Sequence, residues 1–265
     1  MVALVKKILP ASLKEKIKSI NRERQLDAAI RRLASIGENE APAPDVLADL
    51  GRGWGDDGFR AVGGYLEELA RSAAKVRGPV LEIGSGLTTL VLGTLVGRRG
   101  LAVWTLEHHP EFFRQTQEKL KRYRLTNVHL TLAPLRDYGD FCWYDPPLAE
   151  LPRNFGLIVA DGPPGDVKGG RFGLLPVLRS HFAPGAVVLL DDAERVQEGA
   201  VLRKWKSEYG LSYQLQARGG KAWAICSFSE ESQEVIRSVG GHVSDIGSLG
   251  LSSTVPTTED DRRPD

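Results

Sequence analysis

Apolar positions change their spacing twice along the chain. Up to about residue 35 they recur at helical intervals, first Leu13, Ile17 and Ile20, then Leu26, Ile30 and Leu33. Lys6, Lys7, Lys14, Lys16, Lys18, Arg22 and Arg24 lie between them, which predicts a basic amphipathic arm. The stretch from Glu38 to Pro44 breaks this rhythm and reads as a linker, and Gly51-Arg52-Gly53-Trp54-Gly55 as a flexible segment carrying one large aromatic. From Pro79 short apolar runs alternate with helical stretches. Strands are predicted over 80–83, 102–106, 128–132, 157–160 and 187–190, with helices between them, as over 111–123. This is the pattern of a parallel sheet built from βαβ units. Two further strands, over 212–216 and 222–228, flank Arg218-Gly219-Gly220-Lys221, which is hairpin chemistry, so the sheet is expected to end antiparallel. Beyond Val239 the chain is Gly, Ser, Thr, Pro and acidic residues, too poor in apolar content to offset ordering entropy, and a disordered tail is expected. The organisation read from the pattern is a helical arm and linker over 1–50, an α/β domain over 51–230 and a tail over 231–265.

Composition narrows the function classes. Hydrophobic residues at 42% and charged residues at 26% are ordinary globular values, and a net charge of +1 gives no long-range field for capturing nucleic acid. Cys142 and Cys226 have no paired spacing, so neither a disulfide framework nor a zinc site is suggested, and a reducing cytoplasm fits. Two lysines interrupt the first ten residues before they form a signal-peptide core, and no later apolar run approaches the ~20 residues of a membrane span. The basic arm keeps three readings: a helix packed on its own domain with a solvated basic face, a helix lying on an anionic membrane surface, or a contact with a second copy in a homodimer.

The chemistry concentrates at predicted strand ends. Val80-Leu81-Glu82-Ile83-Gly84-Ser85-Gly86-Leu87-Thr88-Thr89 runs from a buried strand through a glycine turn into a helix, letting a ligand approach bare backbone at the carboxyl edge of the sheet. A glycine turn alone also serves as a tight strand-to-helix connection with no ligand. Glu107, about 20 residues further on, closes the second strand where an acid takes both hydroxyls of a ribose. Thr89 stands where a dinucleotide fingerprint wants its third glycine, which argues against a nicotinamide cofactor.

With these residues in order, the sequence resembles the class I S-adenosylmethionine-dependent methyltransferases over roughly residues 53–228. The resemblance implies a Rossmann-like, mostly parallel seven-stranded sheet with helices on both faces, an antiparallel terminal hairpin and added N-terminal helices. It places Glu82, Gly84, Ser85 and Gly86, with Thr88 and Thr89 behind them, around the methionine part of S-adenosyl-L-methionine. Glu107 falls on its ribose, His108 at the ribose or adenine edge, and Ala133, Pro134 and Leu135 beside the adenine.

A second constellation is acidic. Asp161 ends the fourth strand and Asp191 and Asp192 end the fifth, and neighbouring strand ends sit side by side, so three carboxylates converge and repel one another. A hard divalent cation such as Mg2+ resolves such repulsion. The arrangement resembles the metal-dependent O-methyltransferases of the catechol type, which implies Asp161, Asp191 and Asp192 as Mg2+ ligands; Asp161 and Asp191, with Arg171 nearby in the sequence, are the catalytic candidates. The other reading has Asp161 facing the cofactor's charged end, Asp191 capping a helix, and no metal. The lysine base of those enzymes falls here in Gly162-Pro163-Pro164, which has no titratable group. Nearby candidates are Asp166, Lys168 and Arg171, in a glycine-rich stretch expected to act as a lid; Arg171 is read either as pairing a carboxylate or as a surface residue opening a helix. Trp54, Tyr65, Tyr138, Phe141, Trp143 and Tyr144 either wall a substrate pocket or pack in the core. The function implied is methylation of a hydroxyl on a glycan or small-molecule acceptor. The alternatives are a nicotinamide-dependent oxidoreductase and a non-catalytic cofactor-binding subunit.

Overall fold

A computed structural model describes residues 10–55 and 63–228; the expected tail over 231–265 and the first residues of the arm, Lys6 and Lys7 included, lie outside them. The chain opens with three helices, α1 (Ala11–Ala34), α2 (Pro44–Trp54) and α3 (Gly64–Lys75). The alternating region follows as β1 (Val80–Ile83), α4 (Leu87–Gly97), β2 (Val103–Glu107), α5 (Pro110–Tyr123), β3 (Val128–Leu132), β4 (Leu135–Asp137), β5 (Cys142–Tyr144) and β6 (Phe155–Ala160). Then come α6 (Leu174–Leu178), β7 (Phe182–Leu190), α7 (Val196–Tyr209), β8 (Leu211–Arg218) and β9 (Lys221–Phe228).

Seven strands form one sheet in the order β3-β2-β1-β6-β7-β9-β8, parallel up to β7 and antiparallel at β9 and β8. The fold class read from the sequence is the one observed, with β4 and β5 as an unforeseen two-stranded ribbon. Alternation along the central strands sends Val80, Val103, Leu157 and Leu189 into one core layer and Leu81, Leu106, Ile158 and Val188 into the other. Strands covered on both faces are nearly continuous apolar runs for this reason, broken here by the buried Glu82 in β1 and Thr105 in β2. The first layer is roofed by α4, which is buried along nearly its whole length, and by α2, α3 and the second half of α1.

The arm and linker are not a separate unit. Leu26, Ala29, Ile30 and Leu33 of α1 and Val46, Leu47 and Leu50 of α2 belong to the same core as the sheet, and the expected boundary at residue 50 falls inside α2. The segment expected to be flexible, Gly51 to Trp54, is the last turn of that helix. Its glycine has a packing reason: a Cβ on Gly53 would stand 2.7 Å from the α-carbon of Leu26, so only a bare α-carbon lets α2 lie this close to α1.

Candidate active site at the switch point of the sheet

The chain leaves β1 toward β2 and β3 on one side and returns to β6 and β7 on the other, so a crevice opens between the carboxyl ends of β1 and β6, where open α/β sheets bind ligands. Ile83 pairs in register with Ala160, and Ala160 with Leu190. The residues after each, Gly84, Asp161 and Asp191, are thereby carried to one edge. The Asp161 N–H donates to the Ile83 carbonyl at 3.0 Å and the Asp191 N–H to the Ala160 carbonyl at 3.2 Å.

On the β1 side, Gly84 has φ +88°, and a Cβ there would stand 3.1 Å from the Asp161 carbonyl oxygen. Both the left-handed backbone and the close approach to the β6 loop require glycine. The Gly86 N–H donates to the Thr89 hydroxyl at 2.9 Å, so Thr89 closes the first turn of α4 from the position where a third glycine would stand. Trp54 comes from the end of α2 to within 3.9 Å of where a Gly86 side chain would begin.

Glu107 anchors the loop. Its Oε2 accepts from the Ser85 N–H and the Ser85 hydroxyl, each at 2.8 Å, and its Oε1 accepts from the His109 N–H at 2.8 Å with His108 Nδ1 3.3 Å away. Burial pushes the Glu107 pKa up, but the His108 ring, the two N–H groups and the Ser85 hydroxyl outweigh it and hold the carboxyl below its usual value, so it is ionised. Glu82 is the opposite case. It is fully buried, which drives its pKa up to about 7 against the hydroxyls of Thr88, Thr89 and Thr105. Thr105 donates to its Oε2 at 2.8 Å, and its Oε1 has no partner among the described residues.

Ala133 continues from β3, its N–H donating to the Glu107 carbonyl at 2.7 Å, and Pro134 and Leu135 lead into β4 beside it. These expected adenine neighbours therefore do lie beside Glu107, though Leu135 sits in a strand paired with Tyr144 rather than in an open loop. Of the aromatic run, Trp143 is core, and Tyr144 is buried with its hydroxyl against Gly162 and its ring edge-on to His108, centroids 5.5 Å apart. The Tyr144 hydroxyl and that of buried Tyr65 are without partners among the described residues. Burial, with the charges of Asp161 and Glu82, raises both hydroxyls well above the usual tyrosine range, and Gly162, which follows Asp161, brings the Tyr144 hydroxyl to the carboxyl edge of the sheet. Buried polar atoms left unsatisfied are rare in folded chains and are expected where a polar ligand or water completes them.

On the β6 side the three acidic strand ends do converge: one carboxylate oxygen from each of Asp161, Asp191 and Asp192 lies within 4.8 Å of the others. Arg171 stands among them. It is 2% exposed, and its Nη2 donates to Asp161 Oδ1 at 3.2 Å and to Asp192 Oδ2 at 3.1 Å. Its Nη1 donates to the Asp191 carbonyl and lies 3.9 Å from the buried Glu198 carboxylate. Asp192 is further paired with Arg195 through Oδ2 and with Lys221 through Oδ1, each at 3.0 Å. Burial and the facing carboxylates raise Asp161 well above the usual aspartate range and Asp191 to about 6. Asp192, although partly buried, is held low by Arg171, Lys221 and Arg195.

Several expectations change here. Of the two readings of Arg171 the carboxylate pairing is the one observed, and the residue is buried as the charge centre of the cluster rather than on the surface. Asp191 caps no helix, since α7 starts only at Val196 with Arg195 as its N-cap. The glycine-rich stretch is folded into successive turns, Val167 N–H to Pro164, Gly170 N–H to Val167 and Phe172 N–H to Gly169, and Gly169 packs on Phe141. Lys168 donates to the Gly139 carbonyl in the β4–β5 turn, which commits its ammonium there. Sequence reading missed Glu198 and Lys221. Glu198 looks like an ordinary acid in a helix's first turn, and Lys221 like a hairpin residue.

No protein-family model matches the sequence, and no curated protein matches it significantly. Solved structures do. A methyltransferase from Geobacter sulfurreducens aligns at 12% identity over 72% of this chain and 92% of that one, with a TM-score of 0.51. An O-methyltransferase from Bacillus cereus in complex with SAH aligns at 15% identity over 71% of this chain and 92% of that one, also with a TM-score of 0.51. The fold is that of the S-adenosylmethionine-dependent methyltransferases, with its seven-stranded sheet and terminal hairpin.

Proposed function

We propose that this chain is an S-adenosylmethionine-dependent methyltransferase acting on a hydroxyl of a small-molecule or glycan acceptor. The observation that carries the reading is the crevice itself: an ionised, buried Glu107 locked to the glycine loop, with unpartnered Glu82 and Tyr144 oxygens at the same switch point. Those groups suit a nucleoside that also carries an amino acid. Glu107 and His108 would hold the ribose, the 133–135 segment the adenine, and Glu82 with the Gly84-Ser85-Gly86 backbone the methionine end. Bound there, the cofactor would supply an electrophilic methyl group.

What the chain adds is positioning and a place for one proton. Asp161 stands where β6 meets the crevice, and burial with the facing carboxylates makes its carboxylate more basic than a free aspartate, which suits its ionised form to accept a proton from an acceptor hydroxyl. Arg171 holds the Asp161 carboxylate in place through Nη2 and is itself too basic to serve as the proton acceptor. Asp191, ionising near pH 6, is the second acceptor for a donor hydroxyl.

The Mg2+ expectation meets a donor set that fits in spacing but not in charge. Asp161 and Asp192 are already bonded to Arg171, and both oxygens of Asp192 are taken by cations, so the trio does not offer the open oxygen face that Mg2+ requires. The cation that relieves the carboxylate repulsion is a guanidinium, and our reading routes no step through a metal. Calorimetry with S-adenosylhomocysteine, then a screen of hydroxylated acceptors with and without chelator, tests all of this. Binding of a reduced nicotinamide cofactor instead would restore the oxidoreductase reading, and cofactor binding with no turnover on any acceptor would favour a non-catalytic subunit.

A further inference from the structure

Helix α1 has two apolar faces that point in different directions. Its second half is held down by Leu26, Ala29, Ile30 and Leu33 in the core and by Arg122, which pairs with Glu23 at 3.2 Å and Asp27 at 2.8 Å. Its first half leaves Leu13, Ile17 and Ile20 each 41% exposed. At about 100° per residue these three fall in a sector roughly 60° wide, centred about 150° round the helix from the core face. The exposed stripe is therefore not a frayed end of the packing surface; it is aimed away from the domain.

Charge says what the stripe faces. Residues 1–24 hold seven Lys and Arg against two Glu, whereas the rest of the chain, at a total of +1, is left with a net −4. Lys14 and Lys16 border the stripe on its two sides, and Lys16, Lys18, Arg22 and Arg24 are exposed. An apolar strip edged by cations is the surface that seats in the headgroup layer of an anionic bilayer. A second copy fits less well, because two such strips would bring their lysines together and three side chains are far short of the area a stable dimer buries. We infer that the first half of α1 docks the protein peripherally on an anionic lipid surface, through Leu13, Ile17 and Ile20 with the flanking lysines. Among the described residues no helix is long and apolar enough to cross a membrane, so the contact lies in the interface plane.

Co-sedimentation of the full chain with vesicles tests this directly. The protein should pellet with mixed phosphatidylcholine and phosphatidylglycerol vesicles and stay in the supernatant with phosphatidylcholine alone. Ile17→Asp should lower the partition coefficient about tenfold or more, since it puts a charge into the apolar strip. Lys14→Glu with Lys16→Glu and Lys18→Glu should abolish the preference for anionic vesicles. All these side chains lie outside the core, so thermal midpoints and S-adenosylhomocysteine binding should match the parent in each variant, which separates a docking defect from misfolding. The inference is overturned if the parent ignores anionic vesicles, if neither variant changes its partition, or if light scattering shows a dimer that Ile17→Asp splits.

Discussion

Replacing Arg171 with methionine keeps most of the buried volume and removes the charge together with the hydrogen bonds to Asp161, Asp192 and the Asp191 carbonyl. In the native chain the guanidinium is within 3.2 Å of Asp161, 3.1 Å of Asp192 and 3.9 Å of Glu198, at 2% exposure. Deleting one partner of a buried ion pair costs about 3–5 kcal/mol because the other charge stays desolvated. At about 2–4 °C per kcal/mol for a chain of this size, the thermal midpoint should fall by on the order of 10 °C. The loss should depend on pH. Asp161 and Asp191 already have folded-state pKa values above their unfolded ones, Asp191 near 6, and removing the arginine raises them further. A carboxyl whose pKa is raised on folding withdraws stability as pH rises through its folded value, so the Asp191 share of the deficit should grow from about pH 6 upward, while the share from Asp192, which Arg171 holds low, persists at pH 5; the loss should therefore be larger at pH 8 than at pH 5. A second readout follows from the spacing of the three carboxylates within 4.8 Å. With the guanidinium gone, millimolar Mg2+ should raise the variant's midpoint and leave the parent's unchanged. Urea titrations at both pH values, with and without Mg2+, measure each part. A loss below about 1 kcal/mol, or one equal at both pH values, would refute the reasoning.

Other outcomes follow from the same geometry. Chelation with EDTA should leave turnover intact, and activity that disappears and returns with Mg2+ would reinstate Asp161, Asp191 and Asp192 as ligands. Gly84→Ala should destabilise the fold by about 1–2 kcal/mol through its left-handed φ and weaken cofactor binding, read by melting and calorimetry. Because free Glu82 ionises only near pH 7 and a cationic ligand favours its charged form, cofactor affinity should rise between about pH 6 and pH 8, and Glu82→Gln should flatten that rise.

The sheet was legible because buried parallel strands such as those over 157–160 and 187–190 are unbroken apolar runs ended by an acid. The strand-end residues were legible for the same reason, since knowing where a strand stops says which side chain meets the crevice. The β4–β5 ribbon was not: two three-residue strands show no periodicity, and Cys142-Trp143-Tyr144 reads only as aromatic. Gly53 was misread because a glycine serving close helix packing and one serving flexibility look alike in one sequence. Arg171 was legible only as one of two readings, pairing a carboxylate or lying on the surface, and the structure shows the pairing. The carboxylates announced themselves at strand ends, but their counter-charge comes from a loop whose burial depends on Glu198 and on the turns from Pro164 to Phe172, none of which local pattern encodes.

The central claim is that the glycine loop and Glu107 together form a nucleoside site. Titrating S-adenosylhomocysteine into the parent and into Glu107→Gln tests it most directly. The account predicts one site per chain in the parent and a loss of about 10- to 100-fold in the variant, because hydrogen bonds to a charged group contribute about 1.5–3 kcal/mol. Unchanged affinity in a folded Glu107→Gln, or no binding to the parent, would contradict it.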